Sequence, residues 1–491
     1  MKKIIKNIFK DKYVPVVFLT FLIGVFLRFY RLGEFVTFLG DQGRDAVIIK
    51  RILTLEHLPA IGPPTSVGQV YLGPFYYYFI APWLLIFKFN PVGLAFGVAF
   101  FSSLYLLINY FVVKNLFNKK TALISTVLIT FSSVLIDFSR FSWNPNLLPL
   151  FTLLTIYFLI KALETKRILY FILTGSFLSF CLQLHYLALF LIPPMIIVSI
   201  IPPSPPNWQV RWTGRIIMFF SFLFFSLPLL IFDLRHNFLN SKNFINLFKN
   251  SGNMATNKLS SLILTFESLN RFTFNLQINK IFLVAFLGAL LITFLLLIRK
   301  RGNLRIVFIF FVFLLLGTSL YGGPKHPHYF GVLYPLYYVI IAHFLSLFTT
   351  SLFGNFLMLF FLSVFIFFNS KGYYFLSQKG SNQITKARKI GEIIYKNTSS
   401  KKFTTTFLPY KYSDSTYRYF LEIWGKKPIE KDSLEKTDEL FVICEEKCQP
   451  IGDPQWDIAY FAPNKIAETW MVNNVKIYKL IHETIINTPR L

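Results

Sequence analysis

The chain has 491 residues, of which 54% are hydrophobic and 15% charged, and its formal net charge is +27. A soluble protein carries far more charge, so this composition excludes an ordinary soluble enzyme. The basic residues are scattered among short loops and form no continuous groove, which argues against nucleic acid as a partner. Their distribution fits the positive-inside bias of membrane proteins.

The chain begins with a basic head that leads into a long apolar run. Lysines are frequent in residues 1–12, and the apolar run from Val14 to Leu27 follows. A signal peptide begins in a similar way, but no small-residue cleavage motif follows, and Arg28 and Arg31 flank the exit. We therefore predict an uncleaved first span with its N-terminus in the cytoplasm.

Further apolar segments recur up to residue 369, and most approach the roughly 18 to 20 residues that cross a bilayer as a helix. Residues 73–89 are also apolar, and we predict a re-entrant or partly inserted helix there, with a full span as the alternative. The predicted fold class is an all-α polytopic membrane protein with about 11–13 transmembrane helices. The predicted spans are 12–30, 92–113, 121–137, 146–162, 168–184, 186–202, 215–232, 280–298, 305–321, 329–348 and 352–369.

Basic residues in the short loops give these spans a direction. Residues 114–120, 161–167, 207–215 and 299–305 are basic and are therefore predicted to face the cytoplasm. The alternate loops and the tail from residue 370 then lie outside. This pattern predicts a multi-pass plasma-membrane protein that contacts membrane lipids and has an extracytoplasmic C-terminus.

The composition changes at residue 370. The tail is rich in Lys, Glu, Thr and Tyr and contains short β-like runs, so residues 370–491 are predicted to form a small soluble α/β domain. Residues 1–369 are predicted to form the transmembrane domain, with a first extracytoplasmic loop at about 31–91. Cys444 and Cys448 would suit a disulfide in an extracytoplasmic domain, and free thiols are the alternative.

Residues 38–53, FLGDQGRDAVIIKRIL, place two acids and an arginine soon after the first span. Apolar and polar residues recur there with helical spacing, which predicts an amphipathic helix lying on the outer membrane surface. Asp41 stands where an N-cap would stand. It also stands where a carboxylate at the membrane–water boundary could accept a proton, and the two roles are compatible.

Other predicted outer loops carry aromatic, cationic and amide side chains. The tyrosines suit an interfacial aromatic belt or a platform for sugar rings. The cations suit an anionic lipid head group, with ordinary snorkelling as the alternative. The His-x-His pair can bind a metal, but no third ligand is near it in sequence. The residues are Tyr71, Arg140, Trp143, Asn144, Asp233, Arg235, His236, Lys325, His326 and His328.

This order of features resembles the GT-C glycosyltransferases, in particular the protein O-mannosyltransferases and the bacterial lipid A aminoarabinose and galacturonic-acid transferases of families 39 and 83. The shared features are an uncleaved first span, a first outer loop that opens on an acidic motif, an amphipathic helix, a Pro-rich stretch and many further spans. The resemblance covers roughly residues 10–350. It implies inverting transfer of a sugar from a polyprenyl-phosphate donor to a hydroxyl of a lipid, protein or polysaccharide, outside the cytoplasm.

Carried over residue by residue, GDQGRDA matches the family's Asp-Glu motif, so the resemblance makes Asp41 the catalytic base. Gln42 replaces the family's Glu, Asn144 replaces an Asp, and Gly73 stands where some members carry a lysine. The donor phosphate is expected to contact Arg44, Arg235, His236, Lys325 and His326. Further substrate contacts are expected from Gln42, Asp45, Tyr71, Arg140, Trp143 and Asn144.

No cofactor is expected, and a divalent metal is left open. The alternative function is a transporter or flippase for a lipid-linked sugar, and a non-catalytic assembly or adhesion protein is a third. Transporters usually carry ionisable groups or broken helices near the bilayer midplane. Here the polar groups crowd the outer ends of the predicted spans, which favours the transferase.

Overall fold

The computed structural model describes residues 13–65, 70–200, 208–249, 257–300, 302–400, 402–409, 413–430, 433–446 and 448–483. The predicted cytoplasmic head, residues 1–12, lies outside them. The chain divides into two compact units, each described by itself below. The helical unit contains Met1–Tyr30, Pro59–Phe79 and Phe96–Lys379, and the sheet unit contains Arg31–Leu58, Ile80–Ala95 and Gly380–Leu491.

Helices account for most of the described chain up to residue 370. Among the described residues, five helices are long and apolar enough to cross a membrane, and shorter apolar helices accompany them. The predicted all-α membrane architecture is confirmed. In chain order the helices are α1 (Tyr13–Phe29), α2 (Leu32–Phe35), α3 (Gly40–Leu53), α4 (Phe75–Ile86), α5 (Val92–Leu116), α6 (Lys119–Phe131), α7 (Ser133–Phe138), α8 (Leu148–Thr165), α9 (Ile168–Leu184), α10 (Ile192–Ile200), α11 (Trp208–Arg235), α12 (Leu239–Lys249), α13 (Lys258–Phe274), α14 (Lys280–Ile298), α15 (Asn303–Ser319), α16 (Tyr334–Phe348) and α17 (Leu352–Ser370).

The helix bounds agree closely with the predicted spans, and the exceptions have local causes. Helices α9 and α14 match their predicted spans at both ends. The predicted span 121–137 is interrupted, because Ser132 leaves the helix and its hydroxyl caps α7 through the Leu135 N–H. Helix α4 has 12 residues, so it extends only about 18 Å, which suits the partly inserted helix predicted for residues 73–89.

Residues 233–279, predicted as an outer loop, contain two helices. Asp233 stabilises the start of α12, since its Oδ1 accepts the backbone N–H of Asn240 at 2.7 Å. Asn257 caps α13 by accepting the N–H of Ser260 at 3.0 Å. These polar caps satisfy backbone donors that a helix leaves unpaired, which is why helices form in a segment without a spanning apolar run.

Arg28, expected at the exit of the first span, is instead buried inside the helical unit with 0% of its surface exposed. Its guanidinium donates to the hydroxyl of Ser102 at 2.9 Å and to the carbonyl of Gly24 at 3.1 Å. The arginine therefore joins helices to one another rather than reaching for the membrane surface.

The C-terminal part of the sheet unit contains α18 (Gln383–Asn397), β1 (Phe403–Leu408), α19 (Ser415–Ile423), β2 (Glu439–Cys444), α20 (Trp456–Tyr460), β3 (Asn464–Val472) and β4 (Val475–His482). The four strands form a mixed sheet with the order β1-β2-β4-β3. Strands β1 and β2 are parallel, with α19 in their connection, and the other pairs are antiparallel. Strand β2, ELFVIC, is buried along its whole length, whereas β3 is an edge strand with most residues exposed. The predicted small C-terminal sheet domain is confirmed.

Cys444 and Cys448 form a disulfide, which decides between the two alternatives that the sequence left open. Cys444 belongs to the buried core of the sheet together with Leu440, Val442 and Leu480. The disulfide therefore closes a short loop directly at the end of the central strand.

The amphipathic helix α3 packs against α19 inside the sheet unit. Its buried positions include Gly43, Ala46 and Ile49, and an added Cβ at Gly43 would collide with the backbone of Thr416. The expectation that the apolar face of this helix lies on the membrane surface is therefore wrong, because protein covers it.

Candidate functional site

Helix α3 begins two residues too early for Asp41 to be its N-cap. Leu39 is the N-cap residue, and its backbone N–H donates to Oε1 of Gln42 at 3.1 Å. The N-cap prediction for Asp41 is therefore wrong. Asp41 lies in the first turn, where the helix dipole stabilises a carboxylate. Gln42, which was expected to contact substrate, is 6% exposed and closes the helix end.

Asp41, Arg44 and Asp45 form an ion cluster on the first turn and a half of α3. The Arg44 guanidinium donates to Oδ1 of Asp41 at 2.9 Å and to Oδ1 of Asp45 at 2.8 Å. The Asp41 side chain is 52% exposed, whereas the Asp45 side chain is 0% exposed. The Asp41 carboxylate is thus accessible to a substrate, and the buried Asp45 carboxylate fixes the position of Arg44.

In the helical unit, Trp143 and Asn144 lie beside residues of two other segments. Asn144 is 4% exposed, and its Nδ2 donates to the carbonyl of Leu184 at 2.6 Å. The Trp143 ring meets the ring of His328 edge-on, with centroids 4.6 Å apart. Asn144 therefore holds the end of α9 against the Trp143 segment.

His185, His326, His328 and Tyr329 form a group that we call the histidine cluster. The His328 ring lies 5.6 Å from His185, 5.8 Å from His326 and 4.5 Å from Tyr329. Burial, followed by the nearby His326, lowers the pKa of His328 to about 4. At neutral pH His328 therefore acts as an uncharged hydrogen-bonding group.

His185, which is buried and belongs to this cluster, was not singled out from the sequence. Its Nδ1 accepts the backbone N–H of Leu187 at 3.2 Å, so in the neutral ring the proton sits on Nε2. A signal was present, because His185 falls between the predicted spans 168–184 and 186–202, on the predicted outer side. A single histidine between two apolar runs gave no spacing motif to notice.

Lys325 lies next to the histidine cluster. Its Nζ donates to the carbonyl of Thr318 at 3.1 Å and also to that of Tyr321. The Tyr321 ring in turn meets the Tyr329 ring at 5.6 Å. Burial lowers the pKa of Lys325 to about 8. The ammonium group thus stabilises the C-terminal end of α15 and titrates closer to neutral pH than an exposed lysine.

Tyr71, Arg235 and His236 gather at the end of α11. The ring of Phe232 stacks on His236 at 4.1 Å and meets Tyr71 edge-on at 6.2 Å. Asn240 bonds both backbone groups of Tyr71, at 2.7 and 3.1 Å. Arg235 and His236 are exposed, so their side chains remain accessible to an anionic ligand.

Arg140, expected to contact substrate, is 1% exposed. Its guanidinium donates to the carbonyls of Leu27, Arg28 and Tyr30 at 3.0, 3.1 and 2.9 Å. It also lies 3.9 Å from the ring centre of Phe375. These contacts cap the end of α1, so a substrate would reach this guanidinium only if the helix end opened.

Gly73, which matches a lysine of some glycosyltransferases that the sequence resembles, leaves no room for a side chain. An added Cβ would stand 2.3 Å from the side chain of Gln183. The Oε1 of Gln183 accepts the backbone N–H of Phe75 at 3.1 Å, and its Nε2 donates to Phe225 and Ser179. Gln183 therefore occupies the space into which a longer residue at position 73 would project.

Within the described residues, the structure holds no group of three or more His, Cys, Asp or Glu side chains that could bind a metal ion. The His326 and His328 rings are stacked, with an angle of 12° between their planes. The sequence left open a divalent metal, and the described residues offer no set of ligands for it.

Residues 72–232 match the family model of the dolichyl-phosphate-mannose-protein mannosyltransferases. No curated protein matches the chain by sequence.

Three solved structures share the fold. ArnT from Cupriavidus metallidurans bound to undecaprenyl phosphate has a TM-score of 0.61 and 10% identity, over 95% of this chain and 97% of that one. The Archaeoglobus fulgidus oligosaccharyltransferase with Zn and sulfate has a TM-score of 0.55 and 14% identity, over 84% and 62%. The same organism's AglB with an inhibitory peptide and a dolichol-phosphate has a TM-score of 0.50 and 14% identity, over 86% and 65%. The chain therefore has the GT-C fold.

Proposed function

We propose that this membrane protein of the GT-C fold is a glycosyltransferase that moves a sugar from a polyprenyl-phosphate donor to an acceptor hydroxyl. The observation that carries the proposal is the half-exposed Asp41 carboxylate, fixed by Arg44 at the position that matches the catalytic Asp of the GT-C glycosyltransferases that the sequence resembles. Two proteins with this fold bind undecaprenyl phosphate or a dolichol-phosphate, which supports a donor of the same chemical class.

In the proposed reaction Asp41 is the general base. The acceptor hydroxyl gives its proton to the carboxylate while its oxygen attacks the anomeric carbon of the sugar. The bond from that carbon to the phosphate oxygen breaks, and the polyprenyl phosphate leaves with the electron pair. A single displacement of this kind inverts the anomeric configuration, on the extracytoplasmic face of the membrane.

The leaving phosphate needs cations whose positions are fixed. In the helical unit, Arg235 and His236 are exposed at the end of α11, and Lys325 lies beside the histidine cluster, to which His326 belongs. These four are the proposed phosphate ligands. Arg44 was also expected to bind the phosphate, but its guanidinium bonds two carboxylates, so we assign it to orienting Asp41.

The direct test is transfer in proteoliposomes. Purified protein is mixed with radiolabelled polyprenyl-phosphate sugars and with lipid, peptide and polysaccharide acceptors, and the labelled product is separated from the donor. Transfer that requires Asp41 supports the proposal. Movement of donor across the bilayer without transfer to any acceptor would instead favour the flippase alternative.

Donor binding should weaken as the pH rises through about 8. Since burial lowers the pKa of Lys325 to about 8, the ammonium is charged below this pH and neutral above it. The donor KM is therefore expected to rise with pH in this range, as measured by initial rates. Lys325→Arg should flatten the rise, because the guanidinium stays charged. An identical pH dependence in both proteins would limit Lys325 to its contacts with α15.

The tail should be accessible from outside the cytoplasm. The basic loops predict this orientation, and the Cys444–Cys448 disulfide suits an oxidising compartment. Protease added to intact spheroplasts is expected to cut a C-terminal epitope tag and leave a cytoplasmic marker intact. If only permeabilised cells lose the tag, the tail lies inside, and the predicted number of spans is wrong by one.

A further inference from the structure

We propose that the C-terminal tail positions Asp41 by holding helix α3, and that Asp45 is the positioning residue that fixes Arg44. The role rests on the proposed function, in which Asp41 is the base. All the contacts that support it lie inside the sheet unit, where residues from the first outer loop pack on residues from the tail.

Two glycines let the backbone of α3 lie directly against the tail. A Cβ at Gly43 would stand 2.4 Å from the backbone nitrogen of Thr416 and 2.7 Å from the carbonyl carbon of Ser415. A Cβ at Gly40 would stand 2.8 Å from the Cβ of Ser413. Because the atoms facing Gly43 belong to the backbone, a side chain there would push the whole helix away from α19.

Ion pairs fix the other end of the helix. Arg51 donates to Glu422 at 3.2 Å and to Glu430 at 2.6 Å. The Glu422 side chain is only 4% exposed, so this pair lies in the interface and is screened less than a surface pair. Since α3 is held at both ends, the tail fixes the rotation of the helix about its axis and its distance from α19.

The segment just before α3 is also held by the tail. The backbone N–H of Phe38 donates to Oε1 of Gln383 at 2.7 Å, and the carbonyl of Glu34 accepts the N–H of Asn382 at 2.8 Å. The Phe38 ring meets the rings of Tyr419 and Phe420 at 6.2 Å each. Asp41 follows this anchored segment by three residues.

Asp45 links the position of helix α3 to the position of the Asp41 carboxylate through Arg44. It is fully buried and bonds Arg44 through Nε at 3.0 Å and Nη2 at 2.8 Å, while Nη1 of the same guanidinium bonds Asp41. The planar guanidinium is a rigid fork, so fixing one edge of it fixes the other. Asp45 thereby acts on Asp41 without contacting a substrate.

The charged side chains of α19 and of Asp414, the residue before it, are paired with groups other than Arg44. Arg418 bonds Asp414 at 2.7 Å, and Glu422 bonds Arg51. Ser413, just before α19, lies near the first turn of α3, where its hydroxyl oxygen would stand 3.6 Å from a Cβ at Gly40. Arg44 bonds both Asp41 and Asp45.

The first test compares Gly43→Ala with Gly33→Ala in the full-length protein. Gly33 has no atom within 4 Å of an added Cβ, which makes it a matched control. Gly43→Ala is expected to lower kcat roughly 10- to 100-fold with an unchanged donor KM, because a displacement of about 1 Å has effects of this size. Hydrogen exchange of the amides at residues 40–53 should also become faster than in Gly33→Ala.

The two readouts separate the positioning role from the proposed function. If wild-type protein transfers no sugar but exchange at residues 40–53 still rises in Gly43→Ala, the tail holds the helix and the glycosyltransferase proposal is the part that fails. Equal exchange and equal kcat in the two glycine variants would overturn the positioning role.

Asp45→Asn gives a readout that a merely structural residue would not change. The amide still accepts a hydrogen bond from Arg44 but no longer shares its charge, so Arg44 is anchored less firmly and the Asp41 carboxylate loses its fixed position. The kcat of the folded protein is therefore expected to fall roughly 10-fold while the donor KM stays unchanged. If kcat per folded molecule stays at the wild-type value and only the yield of folded protein drops, Asp45 serves folding alone.

Discussion

Replacing Asp41 with asparagine is expected to slow sugar transfer at least about 100-fold while the protein still folds and binds donor. An amide cannot take a proton at neutral pH, and losing general-base catalysis typically costs about 10²- to 10⁴-fold in rate. The side chain is 52% exposed and its carboxylate is not the helix cap, so asparagine should disturb the fold little. Initial rates at saturating donor, together with a donor-binding assay, measure the two effects separately.

The matched control is Glu56→Gln, which neutralises an exposed carboxylate just beyond α3 whose partner is Lys50. It is expected to transfer sugar at the wild-type rate. Asp45→Asn does not serve as a control, because Asp45 is buried and bonds the same arginine as Asp41. Near-normal transfer by Asp41→Asn would show that another group removes the proton.

Among the substitutions described in this article, Arg140→Ala is expected to produce the largest loss of stability. The substitution leaves the carbonyls of Leu27, Arg28 and Tyr30 without this buried donor and removes the cation from the Phe375 ring. Hydrogen bonds from charged groups each contribute about 1.5–3 kcal/mol, so the free energy of unfolding should fall by about 3 kcal/mol or more. Thermal unfolding in detergent would show a lower midpoint.

Arg271→Ala is the comparison for this experiment, since Arg271 is exposed in the same unit and contacts the ring of Phe272. Its unfolding midpoint should stay near that of wild type. If Arg140→Ala unfolds at the same temperature as Arg271→Ala but loses donor or acceptor binding, Arg140 contacts substrate as the sequence analysis expected. The hydrogen bonds of Arg140 to the end of α1 would then contribute little to stability.

The sequence predicted the helical architecture well because crossing a membrane is a local requirement. A segment must be apolar over a fixed length and must satisfy its own backbone, so each run can be recognised without its neighbours. This is why the predicted spans 168–184 and 280–298 match helices α9 and α14 at both ends. The same locality predicted the short β-like runs of the tail, one of which is the fully buried strand β2.

The roles of single polar residues depended on partners that are distant in sequence. Asp41 and Arg44 were singled out as charged residues soon after the first span, the family resemblance gave Asp41 its role, and Asp41 remains the proposed base. The interior position of Arg140 could not be predicted, because its acceptors lie about a hundred residues earlier. His185 was missed for the same reason, since its significance comes from His328, which belongs to another segment.

The sequence by itself therefore determined that this is a helical membrane protein with a small C-terminal sheet, and it singled out the acidic motif. Only the tertiary structure decided what covers helix α3. Its amphipathic pattern shows that one face must be buried but is the same whether lipid or protein covers that face. The covering residues, from Ser413 to Glu430, follow more than 350 residues later, and no periodicity within α3 carries information about a contact at that separation.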